Sequence, residues 1–571
     1  MQGLSEFINN TMPQWNVPGL AIAIVKDNQI IFCEGFGLRD IKNNLKVTPK
    51  TLFAIGSCTK AFTTMAMGIL VDRGQLDWDL PVRNYLPSFK LYDSYVSEHI
   101  TPRDLVTHRS GLPRHDAMWY RTHFTREEII NRLQYLEPTK ELRTVFQYNN
   151  LMYLAAGYLV GEIAGCTWEE FVQREILQTL GMVSSNFSVE ASQKTDDFAC
   201  PYLHKNEEVK EIPFLNIDVV GPAGSINSNI TDMAQWLLLH LNRGKVGDKQ
   251  MISPSNLTQM YTPQIVEPNP QEEREVLNPS YGLGWAIYAY RGYKIVQHGG
   301  GIDGFSALTT LLPQDNIGVV VLTNLNASPL HSIVTFYVCD RLLNLDPVPW
   351  NDRIKEGVAK GKESKTKAKE KIAAERQPGT QPSHPLEDYT GNYEHPAYGI
   401  ISVELKDNNL TTTYNSIVSQ LQHYHYDTFA SYSEVGEMLE LPPDLISFVT
   451  DKKGDVTSLY VPMEPALKDA VFTRMPEKSM TEVSFLEKFV GEYELAGQTL
   501  TISLRGEGLI ASLTGQPDYE LVPYEGSEFN LKNLSGFSIK FTKDAAGIVT
   551  EAVITQPNGT FTATKKTSRD W

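Results

Sequence analysis

Ser57 and Lys60 stand three residues apart in an apolar stretch of small residues, Phe53-Ala-Ile-Gly-Ser-Cys-Thr-Lys-Ala-Phe-Thr-Thr-Met-Ala66. A serine hydroxyl is a weak nucleophile until a neighbour takes its proton, and a desolvated lysine can do that. If a helix starts here, both side chains project from one face, about 5–6 Å apart. Ser57 then lies where free backbone N–H groups and the positive end of the helix dipole gather. Such a pair supports acyl transfer through a serine ester. Taken singly, the spacing also suits an N-cap serine with a solvated lysine. The run Ser364-Lys-Thr-Lys367 repeats it in a charged tract with no apolar helix behind it.

Two other groups bear on that choice. Tyr148-Asn149-Asn150 is the one Tyr-x-Asn of the chain. A tyrosine between two cations can have its phenol pKa lowered and serve as general base towards a serine. Asn150 can orient Lys60 and hydrogen-bond an amide substrate. The plainer alternative is a helix-capping asparagine beside a packed tyrosine. His298-Gly299-Gly300-Gly301 directly follows a β-rich run that ends at Gln297. Glycines at a strand edge let a substrate approach the backbone. One of their N–H groups can join that of Ser57 as an oxyanion hole. His298 would set a positive or hydrogen-bonding group opposite Tyr148. Here the alternative is a glycine-rich hairpin turn with an incidental histidine.

The elements that must hold these residues can be read from pattern. Gly19–Lys26 and Gln29–Phe36 are β-rich runs joined by an Asp27-Asn28 turn, and residues 3–12 and 57–72 read as helices. Helices are expected near 102–107, 126–135, 149–165, 168–180, 231–242 and 328–344. Strands are expected at 293–297, 305–312 and 316–323, the last nearly all apolar as a buried strand should be. Two early strands, three late ones and a helical insertion between them predict an α+β fold with one antiparallel sheet closed by both ends of the region. A Lys/Glu-rich tract ending in Pro378, Pro382 and Pro385 reads as a charged, partly helical linker. Beyond it, Leu386-Glu-Asp-Tyr-Thr-Gly-Asn-Tyr393 is echoed by Leu486-Glu-Lys-Phe-Val-Gly-Glu-Tyr493. Such an echo means two copies of one module, and their short alternating strands predict two small antiparallel β-barrels. The expected domains are 1–350, a linker at 351–384, and barrels at 385–476 and 477–571.

With 571 residues and a net charge of −17, the chain is large enough for several cores and is a poor match for nucleic acid. No apolar run reaches the roughly 18 residues of a membrane span. Met1 to Pro18 has neither a basic n-region nor an apolar h-region. A cytoplasmic location is expected, or export with the signal already removed. Five scattered cysteines fit reduced thiols better than a disulfide framework. No Cys/His spacing suggests zinc, and no metal or organic cofactor is expected.

The order S-x-x-K, Y-x-N, H-G-G resembles the serine β-lactamase-related family: class C β-lactamases, low-molecular-weight penicillin-binding proteins, and related esterases and D-aminopeptidases. The resemblance covers about residues 5–345. It extends to Thr101-Pro-Arg-Asp-Leu-Val-Thr-His-Arg-Ser-Gly-Leu-Pro113, Gly221-Pro-Ala-Gly-Ser225 and Tyr281-Gly-Leu-Gly-Trp285. It implies a β-lactamase/DD-peptidase-like domain with lipocalin-like barrels appended. By that resemblance Ser57 is the acylated nucleophile and Lys60 and Tyr148 share acid and base work. Asn150 positions substrate or Lys60, and His298 takes the place of the lysine in the family's K-T-G. A histidine there is seen more in family peptidases and esterases than in β-lactamases. The expected activity is hydrolysis of small peptides, amides or esters through an acyl-enzyme. Weak β-lactam hydrolysis, acyl transfer, and a receptor that acylates without turnover are the alternatives. The barrels would wall the cleft, join subunits of a homo-oligomer, or bind a hydrophobic ligand as a separate function.

Overall fold

The computed structural model describes residues 2–268, 274–534 and 536–566. Its largest sheet is antiparallel and has nine strands. In spatial order they are Ile265–Val266, Val276–Tyr281, Ala286–Tyr290, Tyr293–Ile302, Phe305–Leu312, Ile317–Thr323, Gly19–Lys26, Gln29–Asp40 and Leu45–Lys46. The early strand Gly19–Lys26 pairs with the late strand Ile317–Thr323, Ile22 opposite Val321. Both strands are apolar at nearly every position because both faces are covered. On one face Leu20, Ile22, Val319 and Val321 pack with Leu4, Ile8, Val334 and Val338 of helices Leu4–Thr11 and Leu330–Leu342. On the other, Ala21, Ala23, Val320 and Leu322 share a core with Phe62 and Trp236.

Two expectations are corrected. The strand starting at Tyr293 does not stop at Gln297 but runs through the glycines to Ile302. The glycines keep full register with Phe305–Leu312, Gly300 opposite Ala307, so they are neither a turn nor a loop. Three further strands on that side were not expected. Val276–Tyr281 carries Pro279 and a left-handed Asn278, and its pairing with Ala286–Tyr290 is irregular there. Such a strand is tolerated near a sheet edge and hides its period-2 pattern.

After the sheet, a 26-residue helix, Trp350–Glu375, leads to two closed eight-stranded barrels, spanning Gly391–Arg474 and Gly491–Lys565. The repeated octapeptide does the same work in both. The Tyr393 hydroxyl donates to the Tyr389 carbonyl at 2.9 Å, and the Tyr493 hydroxyl donates to the Phe489 carbonyl at 2.7 Å. In each case a buried aromatic enters the barrel just before its first strand.

The first barrel is seated on the segment 114–124 of the N-terminal region. Glu464 accepts from the buried His115 N–H at 2.8 Å, and the Tyr398 hydroxyl meets His115 Nδ1 at 2.6 Å. Tyr414 and Asn415 donate to the Ala117 carbonyl, and Asn415 also donates to that of Tyr120. No helix among the described residues is long and apolar enough to cross a membrane.

Candidate active site

Ser57 lies in a tight 3-10 turn, Gly56–Cys58, that runs into helix Thr59–Asp72. Twelve of that helix's fourteen residues are buried, which is why the sequence shows no polar face. Phe62 stacks on Trp236 with ring centroids 3.8 Å apart. The serine caps nothing: no side-chain cap bond exists at the helix start. Lys60 is fully buried. Its Nζ lies 3.0 Å from Ser57 Oγ, 2.8 Å from Asn150 Oδ1 and 2.9 Å from the Ala223 carbonyl. Burial, reinforced by the Arg114 charge, holds the amine well below the usual lysine range. The second Ser-x-x-Lys match is unlike this: Ser364 is exposed on helix Trp350–Glu375 and donates to the Lys360 carbonyl.

Tyr148 is clamped by its neighbours. Gln147 N donates to the His108 carbonyl at 2.7 Å, and Asn149 N donates to His108 Nδ1 at 3.0 Å. Asn149 caps helix Asn150–Ala164 by accepting from Met152 N, and this sets Asn150 on the first turn, facing Lys60. The ring has Lys60 Nζ 4.8 Å and the Arg114 guanidinium 5.1 Å from its centroid, and the phenol is close enough to Ser57 for the hydroxyl to influence its titration. The Lys60 amine and the Arg114 guanidinium therefore both face the tyrosine, yet its pKa is raised. Burial of the phenol outweighs the Ser57 hydrogen bond and the Arg114 charge. A tyrosine whose pKa is raised is suited to give a proton, and a lysine whose pKa is lowered to take one.

The glycine strand lies directly on the Ser57 turn. A Cβ on Gly300 would stand 1.8 Å from the Ile55 carbonyl oxygen, so no side chain fits there. Gly56 has φ +50°, and a Cβ on it would meet Gly301 N at 2.8 Å. Gly301 faces open space, whereas a Cβ at Gly299 would touch Leu308 only at ordinary van der Waals distance. The strand's backbone thus borders the nucleophile turn, and a Cβ on Gly300 would also stand 3.1 Å from Ser57 N.

Of the two roles expected for His298, a positive or a hydrogen-bonding group, the structure favours the second. The side chain is buried, its Nδ1–H donates to the Gly299 carbonyl at 2.6 Å, and its Nε2 accepts from the Tyr281 hydroxyl at 2.9 Å. Burial, with Lys60 nearby, depresses its pKa to about 3, so it is neutral through the physiological range. It adds no positive charge opposite Tyr148, and the two ring centroids are 6.3 Å apart. The cation beside the site is Arg114, which the motif reading passed over. Arg114 pairs with Asp116 at 2.6 Å, and Asp116 Oδ1 also accepts from Asn150 Nδ2 at 3.1 Å and Trp119 Nε1 at 2.7 Å. The signal was present: the family-like stretch ends at Pro113 and the triplet Arg114-His115-Asp116 follows at once. Among the described residues no cluster of acidic, histidine or cysteine side chains could hold a metal ion.

A sheet joined from both ends of its region, a buried lysine one turn after a helix-leading serine, and a tyrosine and asparagine brought in where a second helix begins define a class. The chain belongs to the Beta-lactamase family, whose model matches residues 4–337. A second model, of a domain of unknown function (DUF3471), matches residues 375–474, the first barrel. An unguisins hydrolase of Aspergillus campestris (strain IBT 28561) is 30% identical over 420 residues, covering 70% of this chain and 77% of that one. Protein flp of Staphylococcus aureus (strain N315) is 26% identical over 341 residues, covering 58% and 65%. The solved structure of the octameric penicillin-binding protein homologue from Pyrococcus abyssi has the same fold, with a TM-score of 0.56 at 24% identity. It covers 83% of this chain and 100% of that one.

Proposed function

We propose that this protein is a serine hydrolase that cleaves small peptides, amides or esters through an acyl-enzyme on Ser57. The observation that carries the reading is the 3.0 Å contact between Ser57 Oγ and a fully buried Lys60. Lys60, its pKa depressed, takes the Ser57 proton as Oγ attacks the substrate carbonyl. The N–H groups of Ser57 and Gly301 receive the oxyanion. Tyr148, protonated and beside Ser57, gives a proton to the leaving amine or alcohol as the bond to it breaks. Water then attacks the ester, and Lys60 and Tyr148 return the system to its start. Asn150 holds Lys60 and offers its amide to the acyl side of the substrate. The hydrolase named among the relatives supports bond cleavage rather than binding alone. β-Lactam hydrolysis is a second reading, and Arg114 favours it, because a fixed cation beside Tyr148 can receive a substrate carboxylate that the neutral His298 cannot.

The test is intact mass after exposure to a fluorophosphonate, followed by peptide mapping. One adduct on Ser57 is expected. Ser57→Ala should lose the adduct and several orders of magnitude in turnover. A label that survives in that variant, or maps to Ser364, overturns the assignment.

A further inference from the structure

The first barrel contains a cavity of about 740 Å³. Tyr389, Tyr393, Phe429 and Phe448, whose rings pack at centroid distances of 4.9 to 5.8 Å, fill another part of the barrel interior and do not line the cavity. The half nearer the N-terminal region is walled by smaller side chains, among them Ile401, Ile417, Ser431, Ile446, Leu459 and Val461. The remaining wall belongs to another part of the chain: Arg114, Asp116, Ala117, Trp119 and Tyr120. Two of these residues touch the candidate active site. Asp116 accepts from Asn150, which holds Lys60, and Arg114 lies over the Tyr148 ring. One layer of side chains therefore faces the nucleophile cluster on one side and the barrel lumen on the other. The volume falls within the range of about 300–1,000 Å³ in which proteins enclose small ligands, and the mostly apolar lining with a few hydroxyls is typical of such sites.

We infer that the lumen of the first barrel is a subsite for an apolar acyl group of the substrate, with Arg114 and Asp116 at its threshold. The inference rests on the acyl-enzyme reading above. The acyl side is specified because Asn150, set beside the acyl carbonyl in that reading, bonds the Asp116 that lines the cavity. An acyl chain running from Ser57 past Asn150 enters the lumen and leaves water for an apolar wall. The scissile bond remains outside the barrel.

The experiment compares kcat/KM for p-nitrophenyl octanoate and p-nitrophenyl acetate. Their ratio does not depend on how much of a preparation is active. Each buried methylene can contribute up to about fourfold, so partial burial of the chain should give a ratio of about tenfold or more. Ser431→Trp and, separately, Ser419→Trp fill the lumen and should bring the ratio close to one. Val418→Trp, on the exposed outer face of the barrel, should keep the wild-type ratio. A wild-type ratio near one, with acetate hydrolysed and Ser57 labelled, overturns the lumen subsite and leaves the hydrolase standing. A high ratio that survives both filling variants, or falls equally in Val418→Trp, overturns it as well. Absence of both hydrolysis and labelling overturns the two readings together.

Discussion

The two barrels begin with the same octapeptide pattern and close with the same eight strands, yet they stand in different relations to the rest of the chain. The core of the first is continuous with the core around Ser57: Tyr389, Phe429 and Leu459 belong to the same apolar cluster as Phe62, Tyr153 and Trp236. The core of the second, built on Phe489, Phe529 and Phe541, is a cluster of its own. The first barrel meets the active-site segment through buried hydrogen bonds at its near end. The second is linked by exposed or half-exposed polar contacts to the far end of the first, where Glu528 pairs with Lys453 at 2.9 Å and the Tyr524 hydroxyl bonds Asp455 and Asp451. The two shells are similar, but among the described residues it is the first whose rim loops hydrogen-bond the segment that carries Arg114 and Asp116. Repeat similarity fixes how a module folds, while its neighbours fix what it does.

The sharpest way to break this contrast is to cut it. A chain ending at Pro476 should hydrolyse p-nitrophenyl acetate within about twofold of the full protein. A chain ending at Glu375 should lose about 100-fold or more, because the segment carrying Arg114 and Asp116 loses Glu464, Tyr398 and Asn415, and small misplacements at a reacting centre cost that much. Equal losses from both cuts would mean that the first barrel has no special place.

Next in size are the residues shared between barrel and site. Asp116→Asn should lower kcat by about 10- to 100-fold, by loosening Arg114 and Asn150. Its effect on pH has a definite sign. Lys60 must be neutral to act as base, so activity rises with pH through the Lys60 pKa. The Arg114 charge lowers that pKa and the Asp116 charge raises it. Arg114→Gln should therefore move the acidic limb of the kcat/KM profile to higher pH, and Asp116→Asn should move it to lower pH. Limbs that move together, or not at all, would remove Lys60 from the base role.

Smaller still is the seat itself. Glu464→Leu leaves the buried His115 N–H without an acceptor and should cost about 1–3 kcal/mol in urea unfolding. The smallest effect belongs to the outer joint: Tyr524→Phe should change stability by less than about 1 kcal/mol and leave the acetate rate untouched. A cost there as large as that of Glu464→Leu would place both barrels on the same footing.

Ser57, Lys60 and Asn150 were legible because their relations are short-range: one helical turn, and one helix start. The octapeptide echo was legible for the same reason, being a local pattern written twice. The Tyr148 pKa was not legible. The Arg114 charge beside the ring pushes one way, but the packing that buries the phenol pushes the other and wins, and packing is set by the whole fold. Which of its two expected roles His298 would take was not legible, because its hydrogen-bond partner, Tyr281, comes from a strand two places away in the sheet. Arg114 and Asp116 were passed over because charged loop residues ordinarily face solvent, and the barrel that covers them lies some three hundred residues further along the chain. The glycine strand was cut short at Gln297 because three glycines in a row carry no strand propensity. Register with Phe305–Leu312 supplies what propensity does not.

The helix Trp350–Glu375 joins these regions as a strut. Its 26 residues span about 39 Å at the α-helical rise. It is fastened near its start, where Trp15 donates to Asn351 and Lys355 donates to Gln14. It is fastened again near its end, where the Tyr424 hydroxyl bonds the Ile372 carbonyl and Arg376 donates to the Tyr424 carbonyl. Between those fastenings its side chains are almost all in water, so substitutions there are tolerated and insertions are not. One added residue turns everything beyond it by about 100° and advances it by about 1.5 Å. Seven added residues nearly restore the phase but push the far fastening outward by about 10 Å. For this stretch of lysines and glutamates, the constraint is on the number of residues and hardly at all on their identity.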